Sequence, residues 1–314
     1  MERIAFKDGA HPELQDSLGD FMNKKSFMIG LASYVIWGIL PVYWHALDGV
    51  DSLLILANRI LWSAVFTVAL MKATGKLQLL KDAFKSKETM KYMIPAAFVI
   101  TLNWGLYIWS IGSAHLLDSS FGYYIEPLIV SLFGIVFFRE RCTKMQIIAF
   151  AFAIIGVAYF TIRLGRMPML SLGIAMSFAV YGALKKKVHI DPTAGIAIET
   201  LIVSPLALVY IIYSFASGTT GITAPVLHPV LLVLAGVVTA APLILFASGV
   251  NDLPLYIMGF LQYISPTLQM VIGLFYGEKL TTDQMICFVL IWIGFGIFSA
   301  SLIKESKKEQ TKIS

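Results

Sequence analysis

The sequence predicts an all-α integral membrane protein of ten transmembrane helices, built as two inverted five-helix repeats. Three observations predict it. The 314-residue chain is 58% hydrophobic and 14% charged, with a mean hydropathy of +0.78, whereas a soluble domain carries about 25% charged residues. Its basic residues collect in alternate connections between apolar runs. Its two halves match one another in an ordered series.

Apolar runs of roughly 20 residues are long enough to cross a hydrocarbon core. They place helices at 27–47, 52–71, 92–111, 118–138, 145–162, 168–184, 193–213, 228–248, 254–275 and 283–302. The runs are too long for barrel strands and lack their two-residue alternation. In lipid the backbone must satisfy itself within the segment, so helices follow. Residues 1–26 are mixed and polar, with no cleavable signal pattern, and read as a cytoplasmic tail. Residues 303–314 form a basic cytoplasmic tail.

Orientation follows from the connections. With the amino terminus inside, the cytoplasmic side holds Lys24 and Lys25, the lysines from Lys72 to Lys91, Arg139, Arg141, Lys144, Lys185, Lys186, Lys187 and the carboxy-terminal lysines. The outer side holds only Arg163, Arg166 and Lys279. This positive-inside bias places both termini in the cytoplasm and supports a cell (inner) membrane location. The net charge of +5 does not point to nucleic acid, because the basic residues form no stripe with interleaved aromatics. Cys142 and Cys287 form neither a disulfide framework nor a metal motif, and no metal or cofactor is expected.

The repeat is read residue by residue. Tyr124-Ile125-Glu126-Pro127 corresponds to Tyr263-Ile264-Ser265-Pro266, and Gly134 to Gly273. After a one-residue slip, Glu140, Thr143, Gln146, Gly156 and Phe160 match Glu278, Thr281, Gln284, Gly294 and Phe298. The first and sixth segments also agree, with Trp37 opposite Tyr181. Five helices per half means that the second half enters from the opposite side, the inverted arrangement of many secondary transporters. Repeat 1 spans 27–162 and repeat 2 spans 163–302.

Paired repeats with a Pro-containing fourth helix, a Glu at its exit, Thr-x-x-Gln and a Gly-bearing fifth helix resemble the EamA family of the drug/metabolite transporter superfamily. Trp37-Gly38, Pro41-Val42-Tyr43-Trp44, Asn58-Arg59-Ile60-Leu61-Trp62, Gly122 to Pro127, and Glu199-Thr200 with Pro205 resemble its RarD branch. The likeness covers residues 27–302. It implies a ten-helix secondary carrier in the cytoplasmic membrane. RarD members carry a chloramphenicol-sensitivity label, which does not establish a substrate. One departure is Asn58, where the branch has a His before the Arg, so proton handling by that His does not carry over.

The most informative single residue is Arg59, a charge inside an apolar segment. Such a charge costs about 2.5–3.5 kcal/mol on insertion scales and faces a partner or a wet cavity. Arg59, Asn103 and Glu126 are expected in one outer-half layer, and Glu199 and Gln262 in an inner-half layer. Gln262, Ser265, Gln269 and Gly273 share one face at helical spacing. So do Tyr123, Glu126, Val130 and Gly134, and likewise Arg59, Ser63 and Thr67. These stripes predict a cavity lined by Arg59, Glu126, Asn103, Glu199, Gln262, Trp37, Tyr181, Tyr124 and Tyr263. Pro127 and Pro266 each remove a backbone donor and kink their helices. Arg59 and Glu126 could instead be a structural ion pair. Glu199 reads either as an unpaired acid suited to proton coupling or as a hydrogen-bonded neutral one. Glu140 and Glu278 read as interfacial structure, and His45, His115 and His189 as span-end residues. Trp44, Trp104, Trp109 and Trp292 read as belt or packing residues.

The function expected is permease or exporter transport of a small organic solute by alternating access, with proton or counter-solute coupling, in a monomer or homodimer. No nucleotide-binding loop is present, which excludes an ATP-driven pump for this chain alone. A lipid-modifying intramembrane enzyme would need an acid cluster or metal motif, and none is read. A channel would need rings of carbonyls or charges, and none is read either.

Overall fold

The computed structural model describes residues 24–112, 116–165, 169–276 and 279–313, with side chains left aside at 108–112, 116–123 and 305–313. The segment 1–23, His115 and Glu278 lie outside the described residues, as does the side chain of Trp109.

The described residues are helical apart from short connections, with no strand among them. In chain order the helices are α1 (Lys24–His45), α2 (Ser52–Ala73), α3 (Leu77–Lys85), α4 (Lys87–Gly112), α5 (Leu116–Phe137) and α6 (Lys144–Leu164). They continue as α7 (Met169–Lys187), α8 (Pro192–Ser217), α9 (Leu227–Asp252), α10 (Leu255–Leu261), α11 (Ile264–Phe275) and α12 (Thr282–Ile313). Seven spans are long and apolar enough to cross a membrane: α1, α2, α6, α8, α9, the α10–α11 pair and Thr282–Lys304 of α12. Tyr124–Phe137 of α5 is apolar but shorter. The chain is therefore a multi-pass membrane protein. Its outer faces carry exposed Ile147, Ile154, Leu206, Val209 and Ile212, which suits lipid rather than water.

Two elements differ from expectation. The stretch 72–91, read as a basic loop, contains the nine-residue helix α3. Leu80 and Ala83 are buried there against Met71 and Met93, while Lys81 and Lys85 stay outside. The expected single helix over 254–275 is broken at Gln262 and Tyr263. Pro266 has no N–H to bond the Gln262 carbonyl four residues back, and the Ser265 N–H donates to it instead at 3.0 Å. In contrast, α5 runs on through Pro127.

The matched Thr-x-x-Gln sequences are helix starts. Thr143 and Gln146 form a reciprocal capping box at α6. At α12 the Thr281 N–H donates to Gln284 Oε1 at 2.9 Å, and the Gln284 N–H donates to Thr281 Oγ1 at 3.2 Å. Asp191 caps α8 through the N–H groups of Thr193 and Ala194, at 3.0 and 3.1 Å, and pairs with Lys76 at 2.9 Å. Burial pushes its carboxyl up, but Lys76 and the two N–H donors outweigh that and hold it below the usual range.

The helices pack in a consistent pattern. α2 lies against α8 and α9, α1 against α9 and α11, α4 against α7 and α8, α5 against α7 and α10, and α6 against α12. Close approach is built in at α2/α9, where a Cβ on Gly236 would come within 2.2 Å of the Trp62 carbonyl carbon. Gly236→Leu should therefore lower stability by about 1–3 kcal/mol, the usual cost of overpacking. Thermal unfolding in detergent checks this, and an unchanged midpoint would mean that the α2–α9 contact is not as tight as described.

Candidate functional site

Arg59 leaves the middle of α2 and is half-buried. Its guanidinium lies over two indole rings, 4.7 Å from the Trp44 centroid and 5.0 Å from that of Trp104. The two ring faces offset part of the desolvation of the cation. Its Nε donates to Thr239 Oγ1 on α9 at 3.0 Å. The Ser63–Thr67 continuation of this stripe does not line open space. Ser63 Oγ donates to the Gly236 carbonyl at 2.9 Å, and Thr67 bonds back to its own helix. That face is packing against α9, with Arg59 at its end.

No ion pair joins Arg59 to Glu126, so the paired reading is corrected. Glu126 instead accepts a hydrogen bond from Gln262 Nε2 at the α10–α11 break. Glu126 on α5 meets Gln262 at the α10–α11 junction, and that junction, not α2, supplies the carboxylate's partner. Asn103 joins neither group. Its Nδ2 donates to the Ile174 carbonyl at 2.8 Å and to Ser177 Oγ at 3.0 Å, tying α4 to α7.

Glu199 is not unpaired. Its Oε1 accepts from Lys185 Nζ at 2.9 Å and its Oε2 from the Tyr181 hydroxyl at 3.1 Å. Both charged side chains are only 3% exposed. Lys185 had been read from sequence as one of three cytoplasmic lysines. The last turn of α7 turns it inward, and Gly195 makes room for it, since a Cβ there would sit 2.6 Å from Nζ. The neighbouring Lys186 goes the other way. Its Nζ pairs with Glu140 at 3.0 Å and donates to the Leu253 carbonyl at 2.9 Å. Glu140 also accepts the N–H groups of Leu255 and Tyr256, at 2.8 and 2.9 Å, and so caps α10. Glu140→Gln removes the ion pair and a negative charge from a helix start, with an expected loss of about 1–2 kcal/mol in thermal unfolding. An unchanged midpoint would show that the contact is too wet to matter.

A narrow crevice opens between α2, α4, α8 and α9. Ile60, Ile100, Thr101, Trp104, Ile196, Glu199, Thr200, Val203 and Leu243 line it. It brings the Trp104 face of the Arg59 stack and the Glu199 carboxylate onto one wall system. Trp37 and Tyr181 sit instead in an aromatic cluster with Tyr34, Phe178 and Phe246. Tyr263 donates a long hydrogen bond, 3.4 Å, to the Tyr124 carbonyl. Among the described residues no group of three or more His, Cys, Asp or Glu could hold a metal ion.

This arrangement of apolar helices around buried charges is matched by sequence. The EamA-like transporter family matches residues 24–162 and again 166–300. The chain belongs to the EamA-like transporter family. This EamA chain is 36% identical over 295 residues to an uncharacterized transporter of Vibrio cholerae, covering 93% of this chain and 96% of that one. It is 35% identical over 287 residues to protein RarD of Escherichia coli, covering 91% and 97%. A crystal structure of a protein at 17% identity superposes with a TM-score of 0.66, covering 87% of this EamA chain and 96% of the other. At that identity the likeness shows the fold alone.

Proposed function

We propose that this EamA protein is a secondary carrier that moves a small organic solute through the α2–α4–α8–α9 crevice by alternating access, and that it is not an enzyme. The observation that carries this reading is a crevice with Glu199 in its wall and the Arg59–Trp104 stack beside it. The Arg59 cation beside Trp104, at the edge of that crevice, suits a solute with an anionic group. Arg59 would be the anchor for a carboxylate or phosphate, because its planar fork can bond both oxygens. The transporter family match and a relative named as an uncharacterized transporter support a transport role rather than catalysis.

The ten-span reading adds α4, α5 and α7 to the seven apolar spans, and the α10–α11 pair counts once. Two family matches in one chain and packing of α2 on α8, α6 on α12 and α5 on α10 support two inverted repeats, over 27–162 and 163–302. Each of those pairs joins equivalent helices of the two halves, as a twofold axis in the membrane plane requires. Positive-inside counting then puts both termini in the cytoplasm.

A thermal-shift screen of detergent-purified protein against organic acids, amino acids, nucleosides and amphiphilic drugs tests this reading. Stabilisation by one solute class that Arg59→Ala abolishes supports the crevice as the site. Stabilisation that survives the substitution moves the site elsewhere.

A further inference from the structure

Glu126 lies on α5 directly before Pro127 and is buried. Its one hydrogen-bond partner among the described residues is Gln262. Two further buried polar atoms have no partner: Gln262 Oε1 and the Tyr34 hydroxyl. The Tyr34 phenol is within electrostatic reach of the Glu126 carboxylate. Three elements thus converge, α1, α5 and the α10–α11 break, on a carboxyl group with unused hydrogen-bond capacity around it.

A buried carboxylate with no cation beside it is costly, and neutralisation by a proton relieves the cost. The tyrosines on the surrounding elements are Tyr34 on α1, Tyr107 on α4, Tyr159 on α6, Tyr181 on α7, and Tyr256 and Tyr263 around α10, with Tyr124 on α5 itself. Lys87, Glu88, Lys91 and Tyr92 lie in the first two turns of α4, and Lys24, Lys25, Tyr43 and His45 lie toward the ends of α1. Tyr159 is bonded to Asp283 and Tyr181 to Glu199. The cations of α7, Lys185 and Lys186, are held by Glu199 and Glu140, and Lys187 is exposed at the helix end; Lys144 and Arg163 lie at the two ends of α6. Two carboxylate oxygens, one amide oxygen and one phenol are too few for a hard metal cation, which takes about six to eight oxygens.

We propose that Glu126, Gln262 and Tyr34 form a proton-binding site, and that its occupancy is linked to the helix break at Gln262. This deepens the carrier reading above and rests on it for the role of the proton. The step balances simply. The Glu126 carboxylate takes a proton from water, and the neutral acid then donates its O–H to Gln262 Oε1, the acceptor now unused. When the proton leaves, the carboxylate again accepts from Gln262 Nε2. Titration therefore changes which end of the Gln262 amide faces Glu126, at the residue where α10 ends. The unpartnered Tyr34 hydroxyl lies within electrostatic reach of the same carboxyl.

Infrared difference spectroscopy of the purified full-length protein, titrated in buffer and following the carbonyl stretch of a protonated carboxyl, tests this without any solute. A titrating band should be present in the wild type, absent in Glu126→Gln and retained in the double variant Lys185→Met/Glu199→Leu. Gln262→Leu should keep the band but move its midpoint by about one pH unit, the size of a hydrogen bond to a charged group. Absence of a titrating band, its persistence in Glu126→Gln, or its loss in Lys185→Met/Glu199→Leu would overturn the proposal. If Glu126→Gln does not fold, an unmoved midpoint in Gln262→Leu overturns it equally. A negative result here leaves solute binding by the crevice untouched, so the two readings fail separately.

Discussion

Lys185→Met should be among the most destabilising single substitutions in the chain, with an expected loss of about 3–5 kcal/mol. The reason is asymmetric. The Lys185–Glu199 pair is 2.9 Å apart and nearly sealed from solvent. Removing one partner leaves the other as an uncompensated buried charge, whereas removing both relieves desolvation as well as attraction. Glu199→Gln should act in the same direction by stranding the ammonium. The double variant Lys185→Met/Glu199→Leu should recover most of the loss. Thermal unfolding in detergent of the two single variants and the double variant checks this. Single variants within about 0.5 kcal/mol of wild type, the usual range for surface changes, would show that water reaches the pair and that it is not a buried contact.

Arg59→Ala carries the second large expected effect, and it falls on transport rather than assembly. The side chain lies over the Trp44 and Trp104 rings and bonds Thr239, at the edge of the crevice that Trp104 and Glu199 share. Removing a charge that anchors an ionic group costs about 2–5 kcal/mol, equivalent to a loss of transport of about thirtyfold to several thousandfold. Arg59→Lys should retain part of the activity, because it keeps the charge but loses the planar stack and the fork. Membrane insertion should remain normal in both. Uptake or efflux of the solute identified by the thermal-shift screen, in proteoliposomes with matched protein content, measures this. Full transport by Arg59→Ala would remove Arg59 from the path.

Much of the architecture is legible from hydropathy, because lipid leaves the backbone few options. The all-helical membrane class follows from composition and the length of the apolar runs, and the Thr-x-x-Gln matches mark real helix starts at Thr143 and Thr281. Local partners are less legible. Lys185 sits in a run of three lysines at a helix end, a pattern that reads as a cytoplasmic face. Only its phase on α7, one turn after Tyr181, signals that it turns inward beside Glu199. The Arg59–Glu126 pairing was suggested by similar depth, but depth says nothing about which way round each helix a side chain points. Trp44 and Trp104 read as belt or packing residues; their place around Arg59 depends on the packing of three helices. The break at Gln262 was hinted at by Pro266, yet Pro127 in the equivalent sequence leaves α5 continuous. The proline alone does not decide a break. The surrounding contacts do.

Side-specific labelling of Thr200→Cys tests the carrier mechanism most directly. Thr200 lines the crevice beside Glu199, and a Cys142→Ser/Cys287→Ala background has no other thiol, since the chain has two cysteines. A membrane-impermeant maleimide is applied to right-side-out and to inside-out vesicles, with and without the stabilising solute. Alternating access predicts that the solute shifts labelling between the two sides, raising it from one as it falls from the other. Simultaneous labelling from both sides, unchanged by solute, would contradict it and indicate an open pore.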